Sequence, residues 1–145
     1  MEHTIANFRA LRETVGMTQA HVAKECGIDA RSVRRWEDAE NTAYAPREFA
    51  WDLLIKARED QIRAIDEVIT AVERMEDERG TPKVVRLSYW GNAVEYARAH
   101  PEEDPAKWQM ANANARLAGH MLMEMGFDVE FGFPGLMDTV SEEQG

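Results

Sequence analysis

Cysteine is almost missing from this chain: a single residue, Cys26, excludes an internal disulfide and leaves no second thiol to share a metal. No apolar run approaches the roughly 18 to 20 residues that a membrane-spanning helix needs. The opening Met1-Glu2-His3-Thr4 lacks the basic-then-apolar order of a secretion signal, so the expected location is cytoplasmic, without a membrane partner. Chemistry-bearing motifs are scarce too. There is no Gly-rich phosphate loop, nucleophile elbow or pair of catalytic carboxylates. His3, His21, His100 and His120 show no metal-ligand spacing with one another or with Cys26. The expectation is a protein that is not an enzyme and carries neither cofactor nor metal.

Basic charge is also in deficit, with 17 Lys and Arg against 27 Asp and Glu, a net charge of −10. The deficit is uneven. Residues 1–46 hold Arg9, Arg12, Lys24, Arg31, Arg34 and Arg35 against seven acidic residues, and almost all the negative charge lies downstream. Half of the basic residues of the head fall between Arg31 and Arg35. What is plentiful is ordinary folding material: 44% apolar residues in a 145-residue chain suffice for a core, either as one domain or as a small head with an appended module.

The apolar pattern divides the chain. Ile5, Phe8, Leu11 and Val15 recur at intervals of three and four, one buried face of a helix, and Gly16 ends it. Thr18 is placed to cap a second helix through the N–H of Ala20 or His21, with Val22, Ala23 and Cys26 inward and Gly27 as its stop. Ile28 plugs the turn, and Asp29 can cap a third helix with Val33 and Trp36 inward. Two short helices joined by a tight turn containing Gly make a helix-turn-helix. With Val33 and Trp36 buried, 100° per residue turns Arg31, Arg34, Arg35 and Asp38 outward. An arginine fork pairs bidentately with guanine edges in the major groove and also binds phosphate. The alternative for these arginines is a solvated face, with Arg34 or Arg35 paired to Glu37, Asp38 or Glu40.

Beyond a polar stretch, Pro46 suits the first turn of a long helix through Leu54, Ile55, Arg58, Ile62, Ile65, Ile69, Val72 and Met75, which Gly80-Thr81-Pro82 breaks. Ile55, Ile62 and Ile69 form one heptad row and Arg58, Ile65 and Val72 the other, so this helix packs on its own domain, on a partner chain, or on both. Lys83 to Ser88 reads as a strand, Tyr89 to His100 and Pro105 to Met125 as helices, and Phe127 to Phe131 as a second strand. The expected fold is therefore mainly α: a helix-turn-helix head over 1–46, a dimerisation module with the long helix and strand-helix-helix-strand over 47–133, and a disordered tail over 134–145. Met110, Met121, Met123 and Met125 read as core filler, and Glu102, Glu103 and Asp104 as a solvated cap.

From Gly16 to Glu37 the succession GMTQAHVAKECGIDARSVRRWE resembles the Cro/C1-type, or XRE-like, helix-turn-helix of phage and bacterial repressors. The Thr-Gln opening, the Val-Ala pair, the Gly-Ile-Asp turn and the Trp-Glu ending fall in that family's places. Cys26 stands where a larger aliphatic residue is usual, and Asp29 where Ser or Thr is commoner. The resemblance implies that Thr18 and Gln19 hold the phosphate backbone, that Ala30, Arg31, Arg34 and Arg35 face base edges, and that Ser32 can reach a phosphate.

In the second half, Leu87-Ser88-Tyr89-Trp90, Val94-Glu95-Tyr96, His100-Pro101 and Asp104-Pro105-Ala106-Lys107-Trp108 are similar to small dimeric autorepressors of the anti-CRISPR-associated kind. That likeness implies a homodimer, with Tyr89, Trp90, Tyr96 and Trp108 either at its interface or in the core of one chain. The expected function is transcriptional regulation, with double-stranded DNA carrying an inverted repeat as partner. The alternative is an antitoxin-like module whose acidic second half neutralises a protein partner while the head autoregulates its operon.

Overall fold

The computed structural model describes residues 1–134, so residues 135–145 of the expected tail lie outside it. The described chain is mainly helical, with six α-helices and a two-stranded sheet. In order these are α1 (Ile5–Val15), α2 (Gln19–Cys26), α3 (Ala30–Trp36), α4 (Glu48–Arg79), β1 (Val85–Ser88), α5 (Ala93–Ala99), α6 (Trp108–Glu124) and β2 (Val129–Gly132), with a 3-10 turn at Pro105–Lys107 before α6. Among the described residues no helix is long and apolar enough to cross a membrane. The chain divides inside α4 into two compact units, Met1–Gln61 and Ile62–Gly145, a later division than the one expected at Pro46.

In the first unit each short helix is delimited by its own side chains. The Thr4 hydroxyl accepts from Asn7 N–H, that of Thr18 from His21 N–H, and the Asp29 carboxylate from Arg31 N–H, so each N-cap satisfies a backbone donor that the helix cannot. Gly16 and Gly27 end α1 and α2 at φ 81° and 67°, a left-handed conformation in which any Cβ is strained. Phe8, Leu11, Val15, Val22, Val33, Trp36, Trp51 and Leu54 are all buried. The Phe8 ring meets Trp36 and Trp51 edge-on, with centroids 6.0 and 5.2 Å apart, the arrangement that aromatic quadrupoles favour. Gln61 ties the end of this unit to its start, its amide donating to Thr14 C=O at 2.8 Å.

The second unit is a parallel strand pair with a helical crossover. β1 and β2 run in the register Val85↔Val129 to Ser88↔Gly132, joined by α5 and α6, because parallel neighbours cannot be connected by a tight turn. One face of the pair packs on a core of Val72, Leu122 and Phe127, to which Val85, Leu87 and Val129 contribute. The other face carries Arg86 and Glu130, 3.5 Å apart across the strands. Gly119 of α6 lies under the sheet so closely that a Cβ there would stand 2.6 Å from the Phe131 ring.

Several boundaries differ from the sequence expectation for physical reasons. Phe127 is a buried plug after the turn at Gly126, and the ladder begins only at Asp128, whose C=O accepts from Val85 N–H. Tyr89 to Asn92 is not helical. Asn112 holds Trp90 in place by accepting from its N–H and donating to its C=O, and Asn92 then caps α5 through Glu95 N–H. In α4 the buried members of the heptad rows are Ile65 and Val72, whereas Ile55 and Ile62 stay exposed.

Candidate nucleic-acid interface

α1 is tied to the end of α3 by a buried ion pair. Arg12 Nε and Nη2 donate to Glu37 Oε2 and Oε1 at 2.6 and 2.7 Å, and Nη1 donates to Met17 C=O at 2.9 Å. The Glu37 side chain is only 3% exposed, so its charge needs the Nε and Nη2 donors of Arg12. Gln19 supplies one more, with Nε2 3.1 Å from Glu37 Oε1. The carboxylate that closes α3 thereby fixes α1 and the first residue of α2 at once.

This pairing has two consequences for the arginines. Glu37 is committed to Arg12, so it is not the counter-ion of Arg34 or Arg35. Arg12, one of the basic residues of the head, is turned inward and unavailable to a phosphate. Arg9 is likewise engaged, donating to Glu13 at 2.7 Å. That bond raises the arginine's pKa and lowers the carboxyl's.

On the outer side of α3, Arg31 and Arg34 are exposed and Ala30 and Ser32 half-buried, opposite the buried Val33 and Trp36. Asp29 accepts from Arg31 N–H at 2.8 Å and lies 3.6 Å from the Arg31 guanidinium. The backbone bond first, and then the arginine charge, holds the Asp29 carboxyl below its ordinary pKa. Arg31 is thus oriented by the residue that caps its own helix. Arg35 points elsewhere, with its guanidinium over the Tyr44 ring, 5.4 Å from the centroid.

Arg35 lines a groove of about 440 Å³ together with Ile28, Ser32, Trp36, Tyr44, Arg47 and Phe49. Two guanidinium groups and the hydroxyls of Ser32 and Tyr44 beside apolar and aromatic side chains suit an anionic, partly apolar strand such as a sugar-phosphate backbone. Sequence reasoning missed Arg47 and Tyr44. The signal was available, since Arg47 follows Pro46 at the start of the long helix, but a head ending at Pro46 leaves it out. Thr18 and Gln19 adjoin each other at the start of α2. The hydroxyl of Thr18 is used by its cap, and the amide of Gln19 leans on Glu37.

Of the four expected aromatic anchors Tyr89, Trp90, Tyr96 and Trp108, only Tyr96 is fully buried. Tyr96 is buried within its own chain, its ring near Trp90 and His100 and its hydroxyl donating to Glu103. Burial, and then that carboxylate, push the Tyr96 phenol well above its ordinary pKa. Tyr89 is half-buried, packs on Phe131 and Phe133, and accepts at its hydroxyl from Arg116 at 2.7 Å. Trp90 and Trp108 are half-buried. Compared with models of protein families and with curated proteins, the chain matches none.

Proposed function

We propose that this protein is a sequence-specific DNA-binding transcriptional regulator, a cytoplasmic autorepressor that binds an inverted-repeat operator as a homodimer through α3 in the major groove. The observation that carries the reading is the outer face of α3. Arg31 and Arg34 are exposed on a short helix whose other side is fixed by Val33 and Trp36, and Glu37, the carboxylate that closes the helix, is consumed by Arg12. A rigid helix bearing exposed guanidinium forks is what base-edge readout requires.

Each α3 spans only a few base pairs, so two copies about a two-fold axis are needed to read a long enough site. The half-sites then lie about 34 Å apart or a multiple of it. The acidic remainder of the chain is repelled by DNA and confines contact to the head. Repression follows where the operator overlaps the promoter. The experiment is a mobility-shift comparison on a selected operator. Arg31→Ala relaxes base preference at one position, whereas Gln19→Ala and Arg47→Ala weaken binding to all sequences alike, Arg47→Ala with a salt slope lower by about one. Unchanged shifts for all three variants would refute the reading.

A further inference from the structure

Resting on the dimeric reading above, we propose that two copies of this chain join along the outer edge of β2, the two strands pairing antiparallel across a two-fold axis at Phe131. Within one chain the strand pair uses only alternate backbone groups of β2. Val85 N–H donates to Asp128 C=O at 2.7 Å and Tyr89 N–H to Gly132 C=O at 2.9 Å. A parallel ladder with that register takes its bonds from alternate residues of β2, namely 128, 130 and 132. The N–H and C=O groups of Val129, Phe131 and Phe133 therefore face away from β1. Among the described residues, none bonds to them.

The two edges of the sheet are not alike. β1 is preceded by Pro82 and Lys83 and carries Arg86, the residues that discourage another strand from adding to an edge. From Val129 to Phe133, β2 has no lysine, arginine or proline. It offers instead Phe131 and Phe133, 42% and 41% exposed, large rings with no further strand beside them.

A second copy of β2 fits this edge better than β1 of another molecule. Addition of β1 would be head-to-tail and continue without closure, whereas β2 against β2 closes after two chains. With the axis at Phe131, Phe131 stands opposite the partner's Phe131, and Val129 opposite the partner's Phe133. All three outward residues then exchange their N–H and C=O groups, about six hydrogen bonds in all. Glu130 falls opposite the partner's Gly132, so the two carboxylates do not face each other. Moving the axis by one residue to Glu130 would oppose them directly and forfeit the pairing of Phe133. The product is one four-stranded sheet in the order β1-β2-β2-β1.

Amide hydrogen exchange on the full chain, read residue by residue by NMR alongside light scattering, tests this without any substitution. The expected result is that Val129, Phe131 and Phe133 exchange about a hundredfold more slowly than free amides in the dimer and lose that protection on dilution to monomer. A dimer in which these amides exchange freely would overturn the edge pairing while leaving the dimeric reading intact. A chain that stays monomeric at every concentration would overturn both. Protection that persists in the monomer would also overturn the pairing, because the chain itself would then cover the edge.

Discussion

The two units hold themselves together in different ways. The first encloses a charged pair: Arg12 and Glu37 are bonded to each other beneath the helix-turn-helix, with Gln19 and the Met17 carbonyl completing the shell. The second keeps its cross-strand ion pair, Arg86 with Glu130, at the surface and relies on apolar packing and on one amide, Asn112, gripping Trp90. The difference teaches where rigidity is needed. On the proposed reading the head must present its arginines at fixed angles, and a buried bidentate pair constrains direction as well as distance. Among its described residues the sheet-bearing unit leaves both edges of its strand pair without a further strand and two phenylalanines of the β2 side exposed, features that suit association.

The largest expected effect breaks the first half of that comparison. Glu37→Ala strands the Arg12 guanidinium in the interior and should cost about 3–5 kcal/mol. In the second unit Arg86→Ala removes an exposed partner and should cost no more than about 1 kcal/mol. Denaturant unfolding of the two variants checks the contrast, and equal losses would erase the distinction between the units.

Asn112→Ala comes next. It leaves the N–H and C=O of Trp90 without their partner, at a cost of about 1–3 kcal/mol, and should alter the fluorescence of that tryptophan before the head unfolds.

Gly119→Ala sharpens the account of the sheet. Its Cβ would collide with the Phe131 ring at 2.6 Å, an overpacking that costs about 1–3 kcal/mol against about 1 kcal/mol gained from helix propensity. The net expectation is a loss in the wild-type background that turns into a gain of about 1 kcal/mol when Phe131→Ala removes the ring. A thermal-unfolding double-mutant cycle reads the change of sign.

The smallest effect concerns pH and the α3 cap. The Asp29 carboxyl titrates below its unfolded value, so its contribution is full above the ordinary aspartate range near pH 4 and fades as pH falls through the depressed folded value. Asp29→Asn keeps a capping oxygen but not the charge. Its stability should therefore fall less than the wild type's between about pH 4 and pH 2, in a pH series of urea melts.

Local signals made the head legible in the sequence. Thr18 and Asp29 cap, Gly16 and Gly27 stop, and Val33 with Trp36 sets the inward side of α3, all within a turn or two of one another. What could not be read there is long-range. Arg12 and Glu37 lie in different helices, and nothing in the periodicity of α1 distinguishes a buried arginine from a solvated one. Arg35 looks like a base-facing neighbour of Arg34 until the loop brings Tyr44 under its guanidinium. The same limit explains the second unit. β-Branched residues after a turn marked the first strand and alternation the second, but their parallel pairing, the late start of β2 at Val129 and the nonhelical Trp90 depend on Asn112 and Asp128 meeting distant backbone.

The central claim is that α3 reads DNA in duplicate. Selection of bound sequences from a random duplex pool by the purified full-length protein tests it most directly. The expected result is enrichment of an inverted repeat with half-sites about 34 Å apart or a multiple of it, and loss of that enrichment in Arg31→Ala combined with Arg34→Ala. A pool that shows no enriched sequence, or the same enrichment with the doubly substituted protein, would contradict it.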